Sequence, residues 1–186
     1  MNNYICHSGG CSGSDMVWEN EGNKYGVFTI AYSFYNHKQE GWNRKILSGE
    51  ELKEGFEHVK IASVGLKRNF NCQYYYIKHL LCRNWFQVKN SEAIFAIGKF
   101  QSDKIVNGGT GWATQMAIDN NKPTFVFDQI NNTWNKFFYD EGKFEIVNFI
   151  PILPKNFAGI GTREINPNGI NAIKLIYKHN FIKMGV

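Results

Sequence analysis

The chain has no run of about 20 apolar residues, the length a helix needs to cross the hydrocarbon core of a bilayer. A membrane span is therefore not expected. Its first residues, Met1-Asn2-Asn3-Tyr4, show neither the basic nor the apolar region of a secretory leader, so a cytoplasmic protein is expected. Cys6, Cys11, Cys72 and Cys82 form no Cys-x-x-Cys pair and have no histidine at ligand spacing, which points to free buried thiols rather than disulfides or zinc. No Ser-His-Asp spacing, metal cluster or Walker lysine occurs, and no cofactor is implied. Lys and Arg give a net charge of +5, but they are scattered rather than gathered in blocks. A nucleic-acid partner is thus unlikely, since such a partner calls for a basic stripe; a small anion is better matched.

What is present is an alternation of elements. Strands are expected at Tyr4–His7, Val27–Tyr32, 93–97, Pro123–Phe127 and 157–160. Helices are expected over about Asp15–Tyr25, Glu51–Val64, Cys72–Val88, 113–118 and Pro167–His179. Ser48 and Glu51 have capping-box spacing, and Pro167 suits a first helical turn. Residues 33–50, with Trp42, read as a loop over the site, and 136–139 with 144–148 as a small hairpin. The pattern implies one α/β domain over residues 1–186, with a mostly parallel sheet and helices on both faces.

Glycine is concentrated in three turns, each read as following a strand: Ser8–Asp15, Asn107–Gly111 and Gly159–Arg163. Ligands of open parallel sheets sit beyond the carboxyl ends of the strands. Glycine lets backbone approach an anion, and a helix start offers unpaired N–H groups to phosphate. Arg163 adds a planar cation suited to phosphate. One cleft lined by all three turns is therefore expected, holding a small phosphorylated ligand of nucleotide type.

The same residues carry a resemblance. Ser8-Gly9-Gly10-x-x-Gly13-x-Asp15-x-x-x-Glu19 resembles the Ser-Gly-Gly-Ala-x-Gly-Ala-Asp…Glu turn of the SLOG superfamily, which includes the Smf/DprA proteins, the lysine-decarboxylase-like LOG proteins and many phage proteins. Arg83-Asn84-x-x-Gln87-Val88, Gly108-Gly109-Thr110-Gly111-x-Ala113 and Phe157-Ala158-Gly159-Ile160-Gly161-Thr162-Arg163-Glu164 are similar to further motifs of its phage members. Residues 33–70 and 129–155 are unmatched. The resemblance implies a Rossmann-like three-layer fold and a ligand-binding set of Ser8, Gly9, Gly10, Gly13, Asp15, Arg83, Asn84, Gly108, Gly109, Thr110, Gly111, Gly161, Thr162 and Arg163. It also implies a homodimer or larger assembly, with Tyr74, Tyr75, Tyr76 and Trp85 as natural anchors. In those relatives the Ala-Gly-Ile-Gly strand opens the chain, whereas here it comes near the end. A circular permutation is implied, with strand 157–160 beside strand 4–7 and Met1 near Val186.

Two functions follow from the resemblance. One is capture of a nucleotide or an NAD- or ADP-ribose-derived signal without turnover, as in phage counter-defence. The other is hydrolysis of a nucleotide N-glycosidic bond. The LOG motif Pro-Gly-Gly-x-Gly-Thr-x-x-Glu carries a catalytic Glu, and alignment of the glycines puts Gln115 there, which cannot ionise. Were there catalysis, Glu19 or Asp15 would supply the carboxylate; both also suit caps or partners of a helix dipole.

Overall fold

The computed structural model describes residues 3–70 and 74–182. Its elements in chain order are β1 (Ile5–Ser8), α1 (Ser14–Lys24), β2 (Phe28–Ser33), β3 (Arg44–Ile46), α2 (Gly49–Leu66), α3 (Tyr75–Lys89), β4 (Ala93–Gly98), β5 (Phe100–Ser102), β6 (Ile105–Val106), α4 (Gly108–Asp119), β7 (Thr124–Asp128), β8 (Thr133–Phe138), β9 (Lys143–Val147), β10 (Asn156–Gly161) and α5 (Pro167–Ile182). Eight strands form one sheet in the order β3-β2-β1-β10-β4-β7-β8-β9. The first six pair in parallel; β8 and β9 add antiparallel at one edge.

The burial pattern explains the layering. β4, Ala-Ile-Phe-Ala-Ile-Gly, is buried at every position, as a central parallel strand covered on both faces must be. Ile94 and Ala96 join the core under α2, α3 and α4. Their alternates Phe95 and Ile97 join the core under α1 and α5, where Trp18 and Tyr177 are fully buried. The result is a Rossmann-like three-layer α/β fold. β1 leads through α1 on one face to β2, whereas β4 leads through α4 on the other face to β7. Successive strands are thus added in opposite directions on the two sides of β10, a switch point of the kind at which such sheets open a crevice.

β10 lies parallel to β1, with Cys6 opposite Phe157, so the strand near the chain's end does sit beside strand 4–7. Met1 and Val186 fall outside the described residues, as do Cys72 and the expected first residues of its helix; α3 is described from Tyr75. The capping box at Ser48 forms as read, with Glu51 N donating to Ser48 Oγ and Ser48 N to Glu51 Oε2.

Three features differ from the sequence reading. Segment 33–50 contains β3, an exposed three-residue edge strand too short to show a period. A small hairpin, β5–β6, follows β4, so the Asn107–Gly111 turn does not come directly after that strand. The glycines 108, 109 and 111 are themselves the first turn of α4, which starts five residues before the expected 113. Glycine is a poor helix former, at about 1 kcal/mol each relative to Ala, and tertiary packing overrides it here. Trp85 is buried: its indole N–H donates to Glu54 Oε1 at 2.8 Å and its ring stacks on His58, leaving Tyr74, Tyr75 and Tyr76 as the exposed members of the expected anchor set. Among the described residues, no helix is long and apolar enough to cross a membrane.

Candidate functional site

A cavity of about 530 Å³ opens at the carboxyl ends of β4 and β10. Asp15, Arg83, Asn84, Gly108, Gly109, Thr110, Gly161, Thr162 and Arg163 line it, drawn from all three glycine turns and from α3. Ser8, Gly9, Gly10, Gly13 and Gly111 do not.

The three turns present different chemistry. In the first, three of the backbone amides are already occupied. Gly10 N donates to Ser8 Oγ, Cys11 N to Asp15 Oδ2, and Ser14 N to the Thr162 carbonyl. Ser8 Oγ donates in turn to Glu19 Oε1 at 2.5 Å, and Trp42 N donates to Glu19 Oε2 at 2.8 Å. Glu19 is only 1 % exposed, and burial raises its carboxyl above the usual range. It ties the turn to the 39–42 segment, which indeed crosses over it, and it does not reach the cavity. The glycines here serve packing. Arg83 lies across Gly9 where a β-carbon would stand, and Gly13, at φ +92°, touches the Arg163 backbone.

In the third turn two amides are occupied: Thr162 N donates to the Ile97 carbonyl and Glu164 N to Thr162 Oγ1. Beside Gly161, Thr162 and Glu164 it brings to the cavity wall the exposed Arg163, which carries no ion pair among the described residues.

The middle turn is open. Asn107 caps α4, its Oδ1 accepting from Gly108 N at 2.8 Å. The next amides, Gly109 and Thr110, are those that helix geometry leaves without an intrahelical acceptor. The turn is braced from behind by Arg68, which donates to the Gly108 and Val106 carbonyls, and by Asn84, whose Nδ2 donates to the Gly109 carbonyl. Gly108 needs its glycine for φ +64°. Gly109 lies in α4 without a positive φ, and a β-carbon there would meet nothing within 4 Å. Gly111 is different: a β-carbon would strike the Val106 carbonyl.

Beside this turn, Arg83 is 5 % and Gln87 1 % exposed. Arg83 Nη1 donates to Gln87 Oε1 at 2.7 Å and stands 3.9 Å from Asp15 Oδ2. Arg83 Nε and Gln87 Nε2 have no partner among the described residues, a costly state for buried donors and one typical of binding sites. Burial pushes the Asp15 carboxyl up to about 6, against the opposing pull of Arg83.

Residues outside the expected ligand set also line the wall, among them Cys11, Ile77, Leu80, Leu81, Gln87, Lys99 and Glu164. The apolar members come from the α3 face and have no motif signal. A second cavity of about 620 Å³, lined by His37, Lys38, Gln39, Arg44 and Tyr76 among others, shares Cys11 and Arg163 with the first. Other residues around the glycine turns have structural roles. Trp112 packs in the core. Asp128 caps its turn through Ile130 N and Asn131 Nδ2. His7 is buried against the Tyr32 hydroxyl, and burial lowers it to about 4. Gln115 points away from the cavity, donating to Asp119 Oδ1 and packing at Gly65 of α2. Among the described residues no cluster of three metal-ligating side chains forms. No family model matches the chain, and no curated protein or solved structure is detectably similar to it.

Proposed function

We propose that the protein binds, without turning over, a phosphorylated ligand of the nucleotide or ADP-ribose class, with phosphate seated on the first turn of α4. Gly109 carries the reading. Neither backbone conformation nor packing calls for glycine there, yet a glycine leaves its amide bare at the cavity surface. A close approach by a ligand anion accounts for it. The unpartnered donors of Arg83 and Gln87 and the unpaired Arg163 supply further anion partners, and Ile77, Leu80 and Leu81 give an apolar wall for a base. The SLOG resemblance supports the same ligand class and suggests sequestration of a defence signal in phage infection, in a cytoplasmic setting. It also suggests self-association, which light scattering of the purified protein tests.

Non-catalytic capture is favoured because the position aligned with the LOG glutamate, Gln115, faces α2 and not the cleft. N-glycosidic hydrolysis is the second reading. Asp15 favours it: a carboxylate on the cavity wall, raised to about 6, is suited to proton transfer. Titration calorimetry with ADP, ADP-ribose, NAD and cyclic derivatives, followed by chromatography of the mixtures, separates the two. Saturable heat with intact ligand supports capture. Free base that disappears in Asp15→Asn supports hydrolysis, and no heat with any of these ligands overturns both.

A further inference from the structure

Cys11 stands at the junction of the two cavities, bordering both. Its Sγ is 3.6 Å from His37 Nε2 and accepts from Arg83 Nη2 at 3.4 Å. The other ring nitrogen, His37 Nδ1, is 3.1 Å from Ser33 Oγ, which also accepts from Arg44 Nε at 3.1 Å. The His37 ring is further held by a stack on Phe34, with centroids 4.6 Å apart. A thiol, an imidazole behind it and a third group orienting that imidazole are the parts of an activated nucleophile. The remaining described cysteines, Cys6 and Cys82, border neither cavity.

We propose that Cys11 is a nucleophilic thiol with His37 as its base, and that it adds reversibly to the carbonyl carbon of an anionic aldehyde drawn into the cleft. With Nδ1–H donating to Ser33 Oγ, the lone pair of His37 Nε2 faces Sγ. The Sγ–C bond forms as the S–H proton passes to Nε2. The C=O π pair moves to oxygen, which then takes that proton from Nε2, giving a hemithioacetal. No oxidant, reductant or leaving group is needed. Burial, with Arg83, Arg44 and Arg163 nearby, lowers His37 to about 4, so the imidazole is neutral at pH 7 and holds the proton only in passing, between its loss from sulfur and its transfer to the new oxygen. Arg83 stabilises developing charge on sulfur, and Arg163, shared by both cavities, selects an anionic electrophile. The inference concerns the free thiol and stands or falls apart from nucleotide binding.

The test is alkylation of the full chain at pH 7 by iodoacetamide, in which the Sγ–C bond forms and iodide leaves, followed by peptide mass spectrometry. Cys11 is expected to react at least about tenfold faster than glutathione under the same conditions, and His37→Gln to slow it about tenfold. Glycolaldehyde phosphate is expected to protect Cys11 at a tenfold lower concentration than glycolaldehyde. Reaction of wild-type Cys11 no faster than glutathione, or equal protection by the two aldehydes, overturns the proposal. Both of those readings use the wild-type protein and hold even where His37→Gln does not fold.

Discussion

The guanidinium of Arg83 lies over Gly9, filling the space that the β-carbon of any other residue would need. The first glycine turn therefore acts on the cleft indirectly: it lets α3 lay Arg83 beside Asp15 and Cys11. Gly9→Ala would drive the β-carbon into that side chain, or move Arg83 away from Gln87. Overpacking of a close-packed site costs about 1–3 kcal/mol. Denaturant unfolding is expected to show that loss, with no change in m-value.

Gly109→Ala should do the reverse. Its φ is not positive and its surroundings are open, so the alanine stabilises α4 by about 0.5–1 kcal/mol. The same methyl covers the bare amide, and affinity for ADP-ribose is expected to fall at least tenfold. A raised melting temperature together with weakened calorimetric binding is the predicted pair. Unchanged affinity would mean that no anion sits there.

Arg163→Ala separates binding from folding. The side chain is exposed and unpaired among the described residues, so stability should move by no more than about 0.5 kcal/mol. Ligand affinity should drop about tenfold or more, since a cation facing a phosphate contributes roughly 1.5–3 kcal/mol. Binding by this variant should also depend less steeply on salt, which a calorimetric series in sodium chloride reads out.

Asp15 gives a pH signature. Its carboxyl is raised to about 6 from an ordinary 3.8, mainly by burial, so the native state holds a proton that the unfolded state releases. Stability from this group is full below pH 3.8 and is lost as pH rises through about 6. Asp15→Asn cannot ionise. Its stability relative to wild type should therefore improve from pH 4 to pH 7, by on the order of 2–3 kcal/mol. The histidines lowered by burial act in the opposite sense but are common to both proteins, so they cancel in the difference. Paired urea titrations at the two pH values measure it.

Sheet, layers and the place of the cleft could be read from the chain because they depend on local pattern: the buried run 93–97, the strand 157–160 and the glycines at helix starts. Nine of the fourteen expected ligand residues line the cavity. What could not be read was which backbone amides remain open. Ser8, Gly10 and Cys11 look from sequence like an anion nest, yet Ser8 Oγ and Asp15 absorb its donors. Glu19 looks like a candidate acid and is instead a buried strut for Trp42 N. The Cys11–His37 contact joins residues 26 apart through the path of the 33–42 segment, and no local spacing encodes it.

The central claim is that anion recognition resides in the first turn of α4. Amide chemical-shift mapping on ¹⁵N-labelled protein titrated with ADP-ribose tests it most directly. The largest perturbations are expected at Gly109 and Thr110, with the Arg163 side chain following. Perturbations centred on Gly9, Gly10 and Gly13, with Gly109 and Thr110 unmoved at saturation, would contradict it.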